Sequence, residues 1–133
     1  MMVITLDNQE LDFINNNECC RLSTSFDDKP HVVPVCYIFI RGNFYISTDY
    51  NTKKYNNVKN NPSVCLVIDI YQPGQHKGFI VFGKAKIVED GKNYHDIYSE
   101  FLKRFQWVKK NPWNEGEAPF IEVTPTSKVR WGL

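Results

Sequence analysis

The alternation of apolar and polar residues predicts a chain built mainly of β-strands. Residues 19–26, CCRLSTSF, precede the turn-forming run DDKP, and residues 31–40, HVVPVCYIFI, follow it. The tight turn RGN then leads into residues 44–49, FYISTD. Three strands joined by such short turns indicate an antiparallel meander, because only antiparallel neighbours can be connected so briefly.

Three more strands are predicted in the second half of the chain. Residues 62–71, PSVCLVIDIY, are apolar on both faces, and a loop, QPGQHKG, separates them from residues 79–88, FIVFGKAKIV. Gly83 inside this strand predicts a sharp bend or a close approach of another backbone. The last strand is predicted over residues 120–133, FIEVTPTSKVRWGL, with an interruption at Pro125.

Helical patterns occupy two of the remaining segments. Asp7 is placed to cap a short helix that runs to about Asn15. Over residues 92–110 the apolar positions recur with a 3.6-residue period, which predicts one long helix that ends at the following Asn-Pro pair. Trp107 lies off the apolar stripe of this helix, so we expect it to be exposed or at a contact between subunits.

Six strands and a late helix predict one domain, residues 1–133, that is mainly β with flanking helices. Sequential antiparallel strands favour a six-stranded barrel closed on itself with helices packed outside. The strands over residues 31–40 and 62–71 are too apolar for one face to meet water. We therefore expect the helix and a second copy of the chain to cover the barrel, which makes the protein a homodimer.

Charge and composition exclude several classes of partner. The net charge is +1, from 16 basic and 15 acidic residues, so no overall field recruits nucleic acid or an anionic membrane. No stretch approaches the ~20 apolar residues of a membrane span, and the first residues lack the apolar core of a secretory signal. We expect a soluble, cytoplasmic protein in which any anion site is local.

Common catalytic and metal-binding signatures do not occur in the sequence. The four cysteines lack both C-x-x-C spacing and a clustered histidine, so no metal site is predicted. Cys36 and Cys65 fit small core residues; the adjacent Cys19 and Cys20 could be redox active, although neighbours on a strand point to opposite faces. No dinucleotide motif, phosphate loop or nucleophile elbow is found, and no catalytic residue is identified. If the protein is an enzyme, a cofactor carries the reaction.

One short segment, TDYNTKKYNNVKNNP, places cations where a helix begins. Asn51 or Thr52 can cap this helix, and Lys53 and Lys54 fall in its first turn. Ammonium groups beside the free N–H donors of a first turn cost about 0.3 kcal/mol or more each. Either the lysines are solvated on a surface helix, or a phosphate binds there to the N–H groups, Thr52 and both lysines. The placement of the charges favours the phosphate.

The order of these segments resembles that of one known family. RLSTSFDDKPHVVPV, a strand ending YISTD, TKKYNNVKNNPSVCLVID and GFIVFGKAKIVED follow one another over roughly residues 18–90 as in the FMN-binding split-barrel family related to pyridoxamine 5'-phosphate oxidase. FIEVTPTSKVRW resembles the last strand of the family's short members. The resemblance implies a six-stranded antiparallel split barrel that dimerises and holds FMN in a groove between subunits.

The resemblance also implies which residues bind the cofactor. A lysine pair and the preceding hydroxyl residue match the phosphate site, and the end of the preceding strand matches the contacts to the ribityl chain and phosphate. The backbone of a further strand matches the edge of the isoalloxazine. The residues implied for the phosphate site are Lys53, Lys54 and Thr52, and those for the ribityl chain and phosphate are Ser47 and Thr48. The residues implied for the isoalloxazine edge are Val33, Pro34, Val35 and Cys36. Apart from the resemblance, the position of Trp131 near the C-terminus fits three roles: it covers the flavin ring, crosses the dimer groove or anchors packing.

In function, the resemblance implies an FMN-dependent oxidoreductase that transfers hydride between flavin and a small substrate. Val33 and Gly78 stand where the oxidase proper has arginine and glutamine, which argues against vitamin B6 oxidation. The alternatives are a non-catalytic protein that binds flavin, deazaflavin or haem, and a cofactor-free interaction domain. No acid or base is required of any particular residue.

Overall fold

Six antiparallel strands form a closed barrel in the computed structural model, which describes residues 4–133. The order around the barrel is β1-β2-β3-β6-β5-β4, so the first three strands form the predicted meander and the last strand joins β3 to β5. The predicted fold, mainly β with flanking helices, is confirmed. The strands are β1 (Cys19–Phe26), β2 (Lys29–Ile40), β3 (Asn43–Ser47), β4 (Ser63–Gln72), β5 (Gln75–Val88) and β6 (Phe120–Trp131).

Two apolar clusters account for the apolar residues on both faces of β2 and β3. The first fills the barrel and includes Leu22, Phe44 and Phe79, all fully buried. The second lies on the outer surface of β2 and β3, where Ile38 and Tyr45 pack beneath the late helical region. Successive residues of a strand alternate between faces, so β2 and β3 each contribute to both clusters.

In the described residues, four helices surround the barrel: α1 (Asn8–Asn15), α2 (Lys53–Asn60), α3 (Gly91–Arg104) and α4 (Gln106–Lys110). The prediction for α1 is confirmed, because Asp7 and Glu10 form a reciprocal capping box at its start. Across residues 4–133, no helix is long and apolar enough to span a bilayer. Within the same residues, no cluster of His, Cys, Asp and Glu is arranged to hold a metal ion.

The prediction of one long helix over residues 92–110 is wrong, because the helix breaks at Phe105. This residue is extended (φ −117°, ψ 120°) and its ring is buried against Phe101. The break re-aims α4, so that Val108 is fully buried while Trp107 stacks on Trp113. A 3.6-residue period continues across such a break because both helices bury apolar residues in the same cluster.

The predicted interruption of the last strand at Pro125 is also wrong, because β6 runs through it. Pro125 pairs with Gly83 at a register shift between Phe82 and Gly83, where a bulge tolerates the missing N–H. A Cβ at Gly83 would lie 2.6 Å from the carbonyl oxygen of Thr124, so the predicted close backbone approach is confirmed. The predicted loop QPGQHKG is instead a tight turn at Pro73 and Gly74 between long strands.

Candidate functional site

The connection from β3 to α2 is held by a group of hydroxyl residues. The Thr52 hydroxyl accepts a hydrogen bond from the Tyr55 N–H (3.3 Å) and donates one to the Asp49 carbonyl (3.0 Å). Thr48 Oγ1 lies 3.0 Å from Thr52 Oγ1, and Asn51 adopts a left-handed conformation (φ 66°) that reverses the chain. Thr52 is therefore the N-cap of α2, one of the two residues predicted for that role.

Side chains on the buried face of α2 fix this helix on the barrel. Tyr55 and Val58 are buried, and the Asn57 side-chain amide donates to the Thr24 hydroxyl (3.0 Å) inside the protein. A buried amide without such a partner would cost about 1–3 kcal/mol. The N-terminus of α2 is consequently held in one position relative to the end of β3.

Lys53 and Lys54 occupy the first turn of α2 but differ in environment. Lys53 is exposed, whereas Lys54 is half-buried, and burial lowers the pKa of its ammonium group although the nearby Asp49 carboxylate acts in the opposite direction. Within residues 4–133 neither lysine forms a salt bridge. Since Thr52 caps only Tyr55, the N–H groups of both lysines have no partner in the described part of the chain and can bind a ligand.

A surface cavity of about 400 Å³ opens beside Lys54. The end of β3 and the start of α2 form one wall, and α4 with the following loop forms the other. The cavity therefore combines an ammonium group, hydroxyl groups and two indole rings at one place. Its lining residues are Ser47, Thr48, Asp49, Lys54, Trp107, Asn111, Trp113, Glu117 and Ala118.

The aromatic wall of the cavity was not predicted from the sequence. The rings of Trp107 and Trp113 are nearly parallel (11°), with centroids 6.1 Å apart. Trp113 Nε1 donates to the Tyr94 hydroxyl (2.8 Å), which donates to the Ala118 carbonyl (2.6 Å). The one available signal was the position of Trp107 off the apolar stripe, and its meaning depends on the break at Phe105.

The backbone of β2 has an open edge next to this cavity. Pairing with β3 ends at Tyr37 and Ile46, so Cys36 lies beside Ser47 where the two strands separate. The Tyr37 N–H donates to the Glu18 carbonyl on the β1 side, so the Cys36 N–H points to the open edge. Of the predicted strand Val33, Pro34, Val35 and Cys36, the last residue is thus nearest the cavity.

Trp131 lies at the opposite end of β6 from the cavity. It pairs with Gly78, whereas Phe120 pairs with Ser47, and 11 residues of strand correspond to roughly 36 Å. A Cβ at Gly78 would lie 2.0 Å from the Trp131 ring, so the indole fills the space over this glycine. The chain therefore brings Ser47, Thr48, Lys54 and Cys36 together but keeps Trp131 apart from them.

Comparison with known proteins identifies the family. The sequence model of the family described as pyridoxamine 5'-phosphate oxidase matches residues 6–128 of this chain. The chain belongs to this family, which confirms the resemblance drawn from its segment order. A search of curated proteins found no match.

Solved structures share the fold at low sequence identity. A haem storage protein from Vibrio cholerae, HutZ, matches with a TM-score of 0.81, 14% identity and coverage of 95% of this chain and 94% of that chain. An FAD-binding protein from Mesorhizobium loti matches with a TM-score of 0.75, 23% identity and coverage of 98% of this chain and 97% of that chain. A candidate pyridoxamine 5'-phosphate oxidase from Listeria innocua matches with a TM-score of 0.78, 19% identity and coverage of 95% of this chain and 98% of that chain.

Proposed function

We propose that this protein is an FMN-binding flavoprotein, and that it acts as an oxidoreductase transferring hydride between the flavin and a small substrate. The observation that carries the proposal is Lys54, a half-buried cation without a salt bridge among residues 4–133, beside hydroxyl groups and free helix N–H donors. These groups have one property in common, because each stabilises a bound phosphate.

The residues of the cavity fit the phosphate end of FMN. The Lys53 and Lys54 N–H groups, the Lys54 ammonium group and the hydroxyls of Ser47 and Thr48 supply donors from one side. Thr52 is largely engaged in capping, so its main contribution is to hold the N–H groups and Thr48 in place. A volume of about 400 Å³ also falls within the range of small-ligand sites, about 300–1,000 Å³.

The open edge of β2 and the tryptophans fit the ring end of the cofactor. The Cys36 N–H is directed to the open edge beside Ser47, and Trp107 lies near the Cys36 side chain. In this arrangement Val33, Pro34 and Val35 continue the edge along the isoalloxazine, and the indoles keep water from it. A bound flavin would supply hydride transfer at its N5 atom.

A homodimer fits the surface that the helices leave uncovered. The strand register places residues of β2, β4, β5 and β6 on the outer side of the barrel, and most of them are apolar, with Arg21 and Ser23 of β1 between them. Three of them, Val32, Phe82 and Val129, are 64%, 43% and 52% exposed. We call this surface the outer apolar face; it comprises Val32, Pro34, Cys65, Val67, Ile80, Phe82 and Val129. Because Trp131 lies far from the cavity of its own chain, it can reach a flavin only across such a dimer.

Haem is the second candidate ligand, since the fold is shared with a haem storage protein. Haem iron is normally held by His, Cys, Met or Tyr, and the residues that line the cavity in the described chain include none of these. The visible spectrum of the freshly purified protein distinguishes the two. We expect flavin bands near ~375 and ~450 nm. A Soret band without flavin bands would contradict the proposal, and bands at shorter wavelength would indicate deazaflavin.

Replacing both Lys53 and Lys54 with alanine should weaken FMN binding by about 2–4 kcal/mol, because each removes a charge-assisted contact to the phosphate. Lys54→Ala alone should cost more than Lys53→Ala, since Lys54 is half-buried and Lys53 exposed. Quenching of flavin fluorescence measures the affinity. Lys59→Ala, at the other end of the same helix, is the matched control and should bind FMN normally.

Riboflavin, which lacks the phosphate, provides a second comparison. It should bind the native protein more weakly than FMN does, and it should lose little further affinity in the double variant. Equal FMN affinity in the native protein and the double variant would disprove the phosphate site. Flavin that binds normally but is not reduced by either nicotinamide cofactor would indicate a carrier and not an oxidoreductase.

A further inference from the structure

Two thiols face each other across the first strand pair. Cys19 of β1 and Cys36 of β2 are direct register partners, and their sulfur atoms are 3.8 Å apart. The adjacent pair of Glu18 and Tyr37 is hydrogen-bonded, so Cys19 and Cys36 form a non-hydrogen-bonded pair, in which the Cα atoms approach to about 4.5 Å. Disulfides span Cα distances of about 4.4–6.8 Å. The pair can therefore be bridged without moving either strand.

The other cysteines are placed differently. Cys20 points into the barrel and is 3% exposed, as the alternation of a strand requires. Cys65 lies on β4 beside Ser23, four residues along β1 from Cys19, or roughly 13 Å. Among the four cysteines, all within the described residues, only Cys19 and Cys36 are directly opposed.

The two thiols differ in exposure, which gives them different parts in an exchange reaction. Cys19 is exposed and lines a surface cavity of about 260 Å³ together with Glu18, Arg21 and Asp69. Cys36 is half-buried, and burial together with the Cys19 contact raises its pKa to about 11. Cys36 thus stays protonated at neutral pH until a partner sulfur is presented to it.

We propose that Cys19 and Cys36 form a reversible intrachain disulfide between β1 and β2, made and broken by exchange with a low-molecular-weight disulfide such as oxidised glutathione. The Cys19 thiolate attacks one sulfur of the oxidant, forming a mixed disulfide and releasing one glutathione thiolate. Cys36 then gives its proton to solvent and attacks the Cys19 sulfur, releasing the second glutathione. Two protein thiols are oxidised and one external disulfide is reduced.

Trp107 connects this pair to the cavity beside Lys54. Its indole lies near the Cys36 thiol, and its ring lines that cavity. Forming the disulfide draws the Cys36 sulfur towards Cys19 and changes the surroundings of the nearby indole. Oxidation should therefore change the fluorescence of Trp107, one of three tryptophans in the chain.

The test is to equilibrate the folded protein, without added flavin, in buffers of varying reduced and oxidised glutathione. We expect the four titratable thiols to fall to two, and the change to reverse with dithiothreitol. After alkylation and trypsin digestion, the disulfide should join the peptide of residues 1–21 to that of residues 22–41. Tryptophan fluorescence should follow the same redox curve, and Trp107→Phe should abolish the fluorescence change without preventing the disulfide.

Matched cysteine variants identify the sulfurs. Cys20→Ser should retain the linked peptides, whereas Cys19→Ser and Cys36→Ser should each lose them. The proposal would be overturned if all four thiols stay reduced when the folded protein is treated with oxidant, and are oxidised only when the chain is unfolded. A disulfide between two chains, seen as a dimer band on a non-reducing gel, would also overturn it, as would linkage through Cys20 or Cys65.

Discussion

Thr52 illustrates how one side chain can support both the fold and the site. Its hydroxyl caps α2 and bonds the Asp49 carbonyl, and this arrangement leaves the next two N–H groups without partners among residues 4–133. Lys53 and Lys54 add positive charge at the same point, where the helix dipole is already positive. In the absence of a ligand, the two ammonium groups repel each other and the positive end of the helix dipole.

Thr52→Asp separates capping from phosphate binding. Aspartate is as good an N-cap as threonine and is favoured by the dipole and by two neighbouring lysines, so the free energy of unfolding should stay within about 0.5 kcal/mol of the native value or rise. FMN affinity should fall by roughly 1–2 kcal/mol, because a carboxylate then faces the phosphate. Urea denaturation and fluorescence quenching measure the two effects.

Thr52→Ser, which retains the hydroxyl, is the control and should change neither quantity appreciably. FMN affinity that is unchanged in Thr52→Asp would place the phosphate away from α2. A large loss of stability in either variant would mean that the Thr52 methyl group packs more tightly than its half-buried position indicates.

At the scale of elements, the sequence predicted what depends on local pattern and missed what depends on distant packing. The strands and α2 follow from alternation, turn residues and a cap, all within a few residues. The break at Phe105 depends on where its ring finds space against Phe101, on another helix. The continuity of β6 through Pro125 depends on its pairing with β5, where β6 carries one extra residue, Thr126, opposite Phe82 and Gly83.

The candidate site divides along the same line. Ser47, Thr48, Thr52, Lys53 and Lys54 lie within eight residues, so their proximity could be inferred from the sequence. The tryptophan wall could not, because Trp107 reaches the cavity only through the break that re-aims α4. Trp131 shows the opposite limit, since the sequence left its partner open and the structure sets it over Gly78, at the far end of β6.

At the scale of the whole molecule, the outer apolar face should determine the oligomeric state. Phe82→Asp combined with Val129→Asp places two carboxylates in this face, and we expect the dimer to dissociate into monomers that bind FMN at least tenfold more weakly. Light scattering coupled to size-exclusion chromatography measures the mass. Phe26→Asp is the matched control: Phe26 is 48% exposed but points to the other side of β1.

Two results would contradict this prediction. A native protein that is monomeric at the concentrations used would exclude the dimer. A double variant that becomes monomeric but keeps full FMN affinity would show that one chain forms the flavin site alone, and Trp131 would then have no part in it.

The open edge of β2 also carries a hazard that the sequence offsets. Unpaired strand edges add strands from other chains and so promote aggregation. Residues of β2 in non-hydrogen-bonded pairs with β1 direct their N–H groups to this edge, and two of those residues, Pro30 and Pro34, have no N–H to offer. The edge can therefore receive a small molecule at the Cys36 N–H. A foreign β-strand would find outward N–H donors only at Cys36 and Val32, because the two prolines remove the others.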